Sequence, residues 1–332
     1  MLRPGRNLFL MILVCSAVLP SVAVGGALAS PALTPQLRGA IAWLPPDSDT
    51  LHVAQAFTIP SHERSTRVGP VRDFRYSAQL SVLEGLCETA HEKYLEPLIG
   101  RKVSVAVRGE RNAEVVSHFG SLRAEGCSII LFEHDLGAAA KEWTEVARRG
   151  AHQTRRYNGH EVFVFGSTIV MEGYVKLLPW QGTYMVLLTS KCLLCASSDR
   201  YLEYVLDHLD SPSAVRAFPE SIPEWQHVDT TAPGWMLRHV PKSFKQTIIG
   251  VTMTATQDRC RIVYLRVKKE NQDPKQFVLN RWLGKDPIVE LAAPYDFEQR
   301  TDGTISVSAG VEAFDLETSL LIFRLGSLSG ER

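Results

Sequence analysis

Met185-Val186-Leu187-Leu188, then Thr189-Ser190-Lys191, then Cys192-Leu193-Leu194-Cys195-Ala196 and Ser197-Ser198: this stretch decides the fold class. Two short apolar runs around a polar turn read as the strands of a β-hairpin, and Ser198 is a residue type that caps a helix. Strands this close in sequence pair antiparallel, because a parallel pair needs a crossover of a dozen or more residues. The helix beyond Ser198 carries Leu202, Val205, Leu206 and Leu209 at i, i+3, i+4 and i+7, a single apolar stripe. The same reading settles Cys192 and Cys195. Residues three apart on a strand point to opposite faces, so these thiols diverge and do not bond to each other. A thioredoxin-like pair stands instead at a helix N-terminus, and a zinc knuckle needs a second cysteine pair at comparable spacing, which the chain lacks.

Similar signals flank this stretch. Thr34-Pro35 is an N-cap followed by proline at the first helical position, opening a short helix through Trp43 that Pro45-Pro46 ends. Leu51, Val53, Phe57 and Ile59 alternate with His52, Ala54, Ala56 and Thr58, the period of a half-buried strand. Ser77 caps a predicted helix with Leu80, Leu83 and Cys87 on one stripe, running toward Leu98. Val103, Val105 and Val107 mark a strand and 128–133 a more fully buried one. Asp135 then caps a helix striped by Leu136, Ala139, Ala140, Trp143, Val146 and Ala147, and 161–165 returns as a strand. Further strands fall at 235–240, 247–256 and 259–268, and Asp302-Gly303 is a hairpin turn between 297–301 and 304–308. The predicted fold class is α+β, with antiparallel sheets and helices packed on one face. Strand, strand, helix occurs at 101–149 and again at 183–209, the pattern of a duplicated unit, although many α+β folds contain it without any repeat. A Pro-rich crossing segment at 211–233, with prolines at 212, 219, 223 and 233, separates an α+β domain or subdomain (30–210) from a β-rich C-terminal subdomain (234–332).

The composition narrows the function classes. The chain has 332 residues, 45% hydrophobic and 22% charged, which argues against disorder and against a multi-span membrane protein. Basic and acidic side chains number 36 each, so no excess of positive charge points to nucleic acid. At the N-terminus, Arg3 and Arg6 precede an apolar run at 8–24 and the small-residue segment Ala27-Leu28-Ala29, the order of a secretory signal cleaved after Ala29. The alternative is a retained anchor at 8–24, since 17 residues approach the roughly 20 that span a bilayer. Removing 1–29 leaves 34 basic against 36 acidic side chains and five cysteines, 87, 127, 192, 195 and 260. An odd number in a chain this long does not make a disulfide scaffold.

Chemical motifs are few. There is no phosphate-cradling G-x-x-x-x-G-K-[ST], no G-x-G-x-x-G after a strand and no H-E-x-x-H helix. No G-x-S-x-G elbow exists; residues 326–330 place Leu328 at the centre. Glu133-His134-Asp135 offers three metal-capable side chains, but consecutive residues point in different directions. Asp47-Ser48-Asp49 reads as a turn whose carboxylates bond to nearby backbone amides. Neither a metal site nor a cofactor is expected. Arg148, Arg149, His152, Arg155 and Arg156 form a local basic cluster, read as a solvated helix end or as a phosphate or acidic-glycan contact. Of six tryptophans, Trp180 and Trp225 are placed in loops where they could stack on sugars. The candidate catalytic group is His227, Asp229 and His239, with Arg238 beside them: Asp229 could orient either imidazole as a general base. Against that, strand period puts Trp235, Leu237 and His239 on one face, the place of a hydrogen-bonded core or rim histidine.

Ile41-Ala42-Trp43-Leu44-Pro45-Pro46-Asp47-Ser48-Asp49-Thr50, followed by a strand, resembles the opening of exported bacterial proteins whose mature chains start with leucine-proline-x-aspartate. The segments 224–229 and 235–239 are similar to such uncharacterised proteins too. The resemblance covers under a tenth of the chain and implies export and an α+β build without supplying a site. The expectation is an exported binding or structural module of the cell envelope rather than an enzyme, of unidentified partner. The alternatives are an extracytoplasmic hydrolase using His227, Asp229 or His239, and an interaction protein anchored by 8–24.

Overall fold

The computed structural model describes residues 33–59, 96–111, 125–166, 170–171, 174–175, 182–239, 250–255, 259–265 and 296–310. The predicted signal at 1–29, the helix expected over 77–95, Cys87, Trp180, Trp282 and residues 326–330 lie outside them. Helix α1, Pro35–Ala42, begins as its sequence requires: Thr34 is extended, its hydroxyl accepts from Leu37 N at 3.2 Å, and Pro35 occupies the first turn. Helix α2 is Ala138–Gly150 and α3 is Asp199–Asp207. Ser198 caps α3 by accepting from Tyr201 N at 3.3 Å. Asp135, in contrast, does not cap α2. Its carboxylate turns back to Gly137 N at 2.7 Å, Gly137 takes φ +54°, and the helix starts one residue later.

The strands are β1 (Thr50–Thr58), β2 (Lys102–Arg111), β3 (Glu125–Phe132), β4 (Gln153–Tyr157), β5 (His160–Gly166), β6 (Val170–Met171), β7 (Tyr174–Val175), β8 (Gly182–Thr189), β9 (Cys192–Ala196), β10 (Gly234–His239), β11 (Gly250–Ala255), β12 (Arg259–Leu265), β13 (Asp296–Gln299) and β14 (Ile305–Gly310). Twelve of them form one sheet in the order β13-β14-β12-β11-β10-β1-β2-β3-β9-β8-β5-β4, with β6 and β7 a separate pair. Every neighbouring pair is antiparallel, as the hairpin signals predict. The β8–β9 turn sits where 189–191 placed it, and β13–β14 close over a five-residue loop, 300–304, with Gly303 at φ +83°. β1 lies mid-sheet between β2 and β10, so the chain returns through 211–233 to complete the sheet it began.

The helices are not on one face, which corrects the expectation. α1 and α3 bury Leu37, Ile41, Tyr201, Leu202 and Val205 against Leu51, Val53, Val107, Ile129 and Leu194 on the front of the sheet. α2 buries Ala139, Trp143 and Ala147 against Ala106, Ile130, Phe163 and Leu193 on the back. An amphipathic stripe fixes which side of a helix is buried, but not which side of the sheet receives it. The opposite placement also argues against duplication: a two-fold normal to the sheet that exchanged β2–β3 with β8–β9 would leave both helices on the same face.

β1 and β2 change faces partway along. Leu51 and Val53 join the front core, whereas Phe57 and Ile59 join the back; Val105 and Val107 are front and Val103 back. The cause is local. Ala56 takes φ +50°, and the β2–β3 register slips between Val103 and Val105, so Ser104 is an extra residue. The paired irregularities rotate both strand ends together. Because both faces of the sheet are covered here, β1 is buried on both sides rather than half-buried, and His52 and Ala54 are inside.

Candidate functional site

The structure separates the predicted group. Asp229 orients neither His227 nor His239: its Oδ1 accepts from Thr231 N at 2.9 Å and Thr231 Oγ1 at 2.6 Å, closing a turn. Arg238 lies between Leu237 and His239, and alternation sends it to the back, in register with Thr50. His239 does have a carboxylate partner, and it is Glu224. His239 Nδ1 is 2.9 Å from Glu224 Oε1. Glu224 rides on a 3₁₀ turn, Pro223–His227, and is wholly inaccessible, while the His239 side chain is 36% exposed. The fold makes room for that carboxylate at Gly250, opposite His239 on β11, where an added methyl would overlap it. Glu224 Oε2 has no hydrogen-bond partner among the described residues.

Trp225 follows Glu224 into the front core, not into a sugar-binding position: it stacks edge-on with Trp235 at 5.7 Å and its indole donates to Pro219 O at 3.1 Å. His227 is half-buried on the same turn, and its carbonyl accepts from Thr252 Oγ1 at 3.3 Å. Burial, and then the Arg300 and Arg261 charges, hold the His227 imidazole below its ordinary range. One signal for the Glu224 contact was available: a glycine within a strand marks close approach of another group, and Gly250 is one.

A second polar group lies on the back of the central strands. His52, Arg108, Glu110, Ser128, Thr50 and Arg238 are all buried. Register sets them side by side: His52 faces Arg108, Arg108 faces Ser128, and Thr50 lies between Glu110 and Arg238. Glu110 links them, with Oε2 3.4 Å from His52 Nε2 and Oε1 accepting from Arg108 Nε, while Arg108 Nη1 reaches Ser128 Oγ at 3.5 Å. Sequence reasoning missed this group, because the alternation that marked Leu51 and Val53 as core assigned His52 to solvent.

The remaining candidates are bracing contacts. Asp47, of the leucine-proline-x-aspartate segment, bonds to distant side chains and not to local amides: Arg200 Nη1 at 2.6 Å, Tyr201 OH at 3.2 Å and Arg111 Nη1 at 3.3 Å. Arg148 pairs with Glu161, and Arg155 with Asp199 and Glu203, which divides the basic cluster between two elements. Asp135 accepts from Ser190 as well as Gly137, and these bonds hold its carboxyl below the usual range. Among the described residues no three metal-capable side chains gather. Cys192 lies in the front core and Cys195 in the back, so the two are not bonded to each other, as their spacing requires. Burial pushes the Cys127 and Cys192 thiols up to about 12, the reverse of a reactive cysteine. Comparison of the chain with protein-family models, with curated proteins and with solved structures found no match.

Proposed function

We propose that this chain is an exported binding or structural module of the cell envelope, not an enzyme. The observation that carries the reading is the burial of the His52–Glu110–Arg108–Ser128 group across three central strands, where its charges brace the sheet and are closed to a substrate. Asp229 and Asp135 likewise serve turns, and Asp47 ties the N-terminal segment to α3. Export rests on the order of charge, apolar run and small residues at 1–29, and sequencing the N-terminus of the exported chain tests it. A first residue of Ser30 is the expected result; Met1 on a membrane-bound protein favours the anchored alternative.

A hydrolase is the second reading, favoured by one contact: His239 is held at one ring nitrogen by a buried carboxylate and is partly exposed, as a general base would be. A panel of ester, phosphoester, peptide and glycoside substrates separates the two. The binding-module reading predicts no turnover. Turnover abolished by His239→Ala, with the circular dichroism spectrum unchanged, would establish the hydrolase.

A further inference from the structure

We propose that the Glu224–His239 contact is a proton-operated latch, fastening the 211–233 crossing over the strands it covers and loosening as pH rises. The crossing's other described side-chain hydrogen bonds to the sheet are neutral. Gln55 Nε2 donates to Thr230 O at 2.9 Å and Ala232 O at 3.0 Å, Thr252 Oγ1 to His227 O at 3.3 Å, and Asp229 N to Thr254 Oγ1 at 3.3 Å. The Arg38–Glu220 ion pair at 2.9 Å ties the crossing to α1 and not to the sheet. Glu224 differs from all of these. Its carboxylate is inaccessible, one oxygen has no partner among the described residues, and Gly250 contributes no side chain to it. A buried carboxylate in that position depends on the charge of His239, its one donor among the described residues.

With His239 protonated, Oε1 accepts a charge-assisted hydrogen bond; with it neutral, only the weaker neutral bond is left. The latch therefore contributes most at low pH and less as pH rises through the imidazole range. The Glu224 charge is felt by His227 on the same turn, which is itself flanked by the charges of Arg300 and Asp302 in the β13–β14 loop and Arg261 on β12, while Asp49 ahead of β1 meets His239 through its carbonyl. β11 presents Gly250, Thr252 and Thr254, none of which titrates. His227 acts in the opposite sense, since charging it beside Arg261 and Arg300 is unfavourable. A comparison of variants separates the two histidines.

The test is hydrogen exchange of peptides within 211–233, corrected for intrinsic rates, from pH 5.5 to 8 in the wild-type chain, Glu224→Gln and His227→Gln. The latch predicts wild-type protection exceeding that of Glu224→Gln by about tenfold at pH 5.5, with the gap narrowing as pH rises. His227→Gln leaves the narrowing in place. A gap that stays constant, or that widens with pH, overturns the proposal. Should Glu224→Gln fail to fold, His239→Gln is read against wild type by the same criterion.

Discussion

Two histidine–glutamate pairs stand on neighbouring strands and differ in what encloses them. His52 on β1 and Glu110 on β2 are diagonal neighbours on the back of the sheet, both closed to solvent, and Glu110 is shared with Arg108. His239 and Glu224 join a strand end to a crossing segment, with the imidazole at the surface and only the carboxylate inside. The same two side chains thus serve two purposes. In the centre, the Glu110 carboxylate is held against both Arg108 and His52, and loss of one partner leaves a buried charge uncompensated. At the rim, solvent reaches the imidazole and screens the pair, so the contact is weaker and can respond to protons.

The largest effect is expected at the centre. Glu110→Ala removes the carboxylate touched by both His52 and Arg108 and should cost about 3–5 kcal/mol in denaturant unfolding, with protection lost across β1, β2 and β3. At the rim, Gly250→Ala pushes a methyl into Glu224 and should cost about 2 kcal/mol, its exchange effects confined to the crossing and β10–β11. Glu224→Gln keeps the shape and a hydrogen bond, and about 1 kcal/mol is expected. If Gly250→Ala and Glu224→Gln were each as costly as Glu110→Ala, enclosure would not be what separates the pairs.

The smallest effect is a change of slope with pH. The His227 imidazole is depressed by burial and by Arg300 and Arg261, so the unfolded chain binds its proton more readily than the folded one. Its contribution to stability is present above the unfolded value, about 6.5, and is lost as pH falls below it. His227→Asn should flatten the decline in thermal midpoint between pH 7 and 5 without altering the midpoint at pH 8. An unchanged decline would show that other groups set it.

Local signals in the sequence carried over well. Thr34-Pro35 and Ser198 start their helices, 189–191 turns its hairpin, and the divergence of Cys192 from Cys195 followed from strand geometry alone. What did not carry over depends on residues far apart in the chain. The face switch needs Ala56 and the Ser104 bulge to coincide across two strands, and alternation within either strand cannot reveal the other. His52 looked solvent-facing for the same reason: its burial arises because both faces of the central sheet are covered. Asp229 is a candidate histidine partner by its nearness in sequence, whereas Glu224 reaches His239 only because Gly250 leaves space. The stripe of α2 matches its buried residues, but a stripe does not say whether α2 shares a sheet face with α1 and α3, since nothing in a helix names the face it will meet.

The contrast between the pairs is tested most directly by two double-mutant cycles at pH 7, His52→Gln with Glu110→Gln and His239→Gln with Glu224→Gln, each read by chemical unfolding. Burial as the deciding factor predicts a coupling energy in the centre larger than that at the rim by at least about 1 kcal/mol. Equal couplings, or a larger one at the rim, would contradict it.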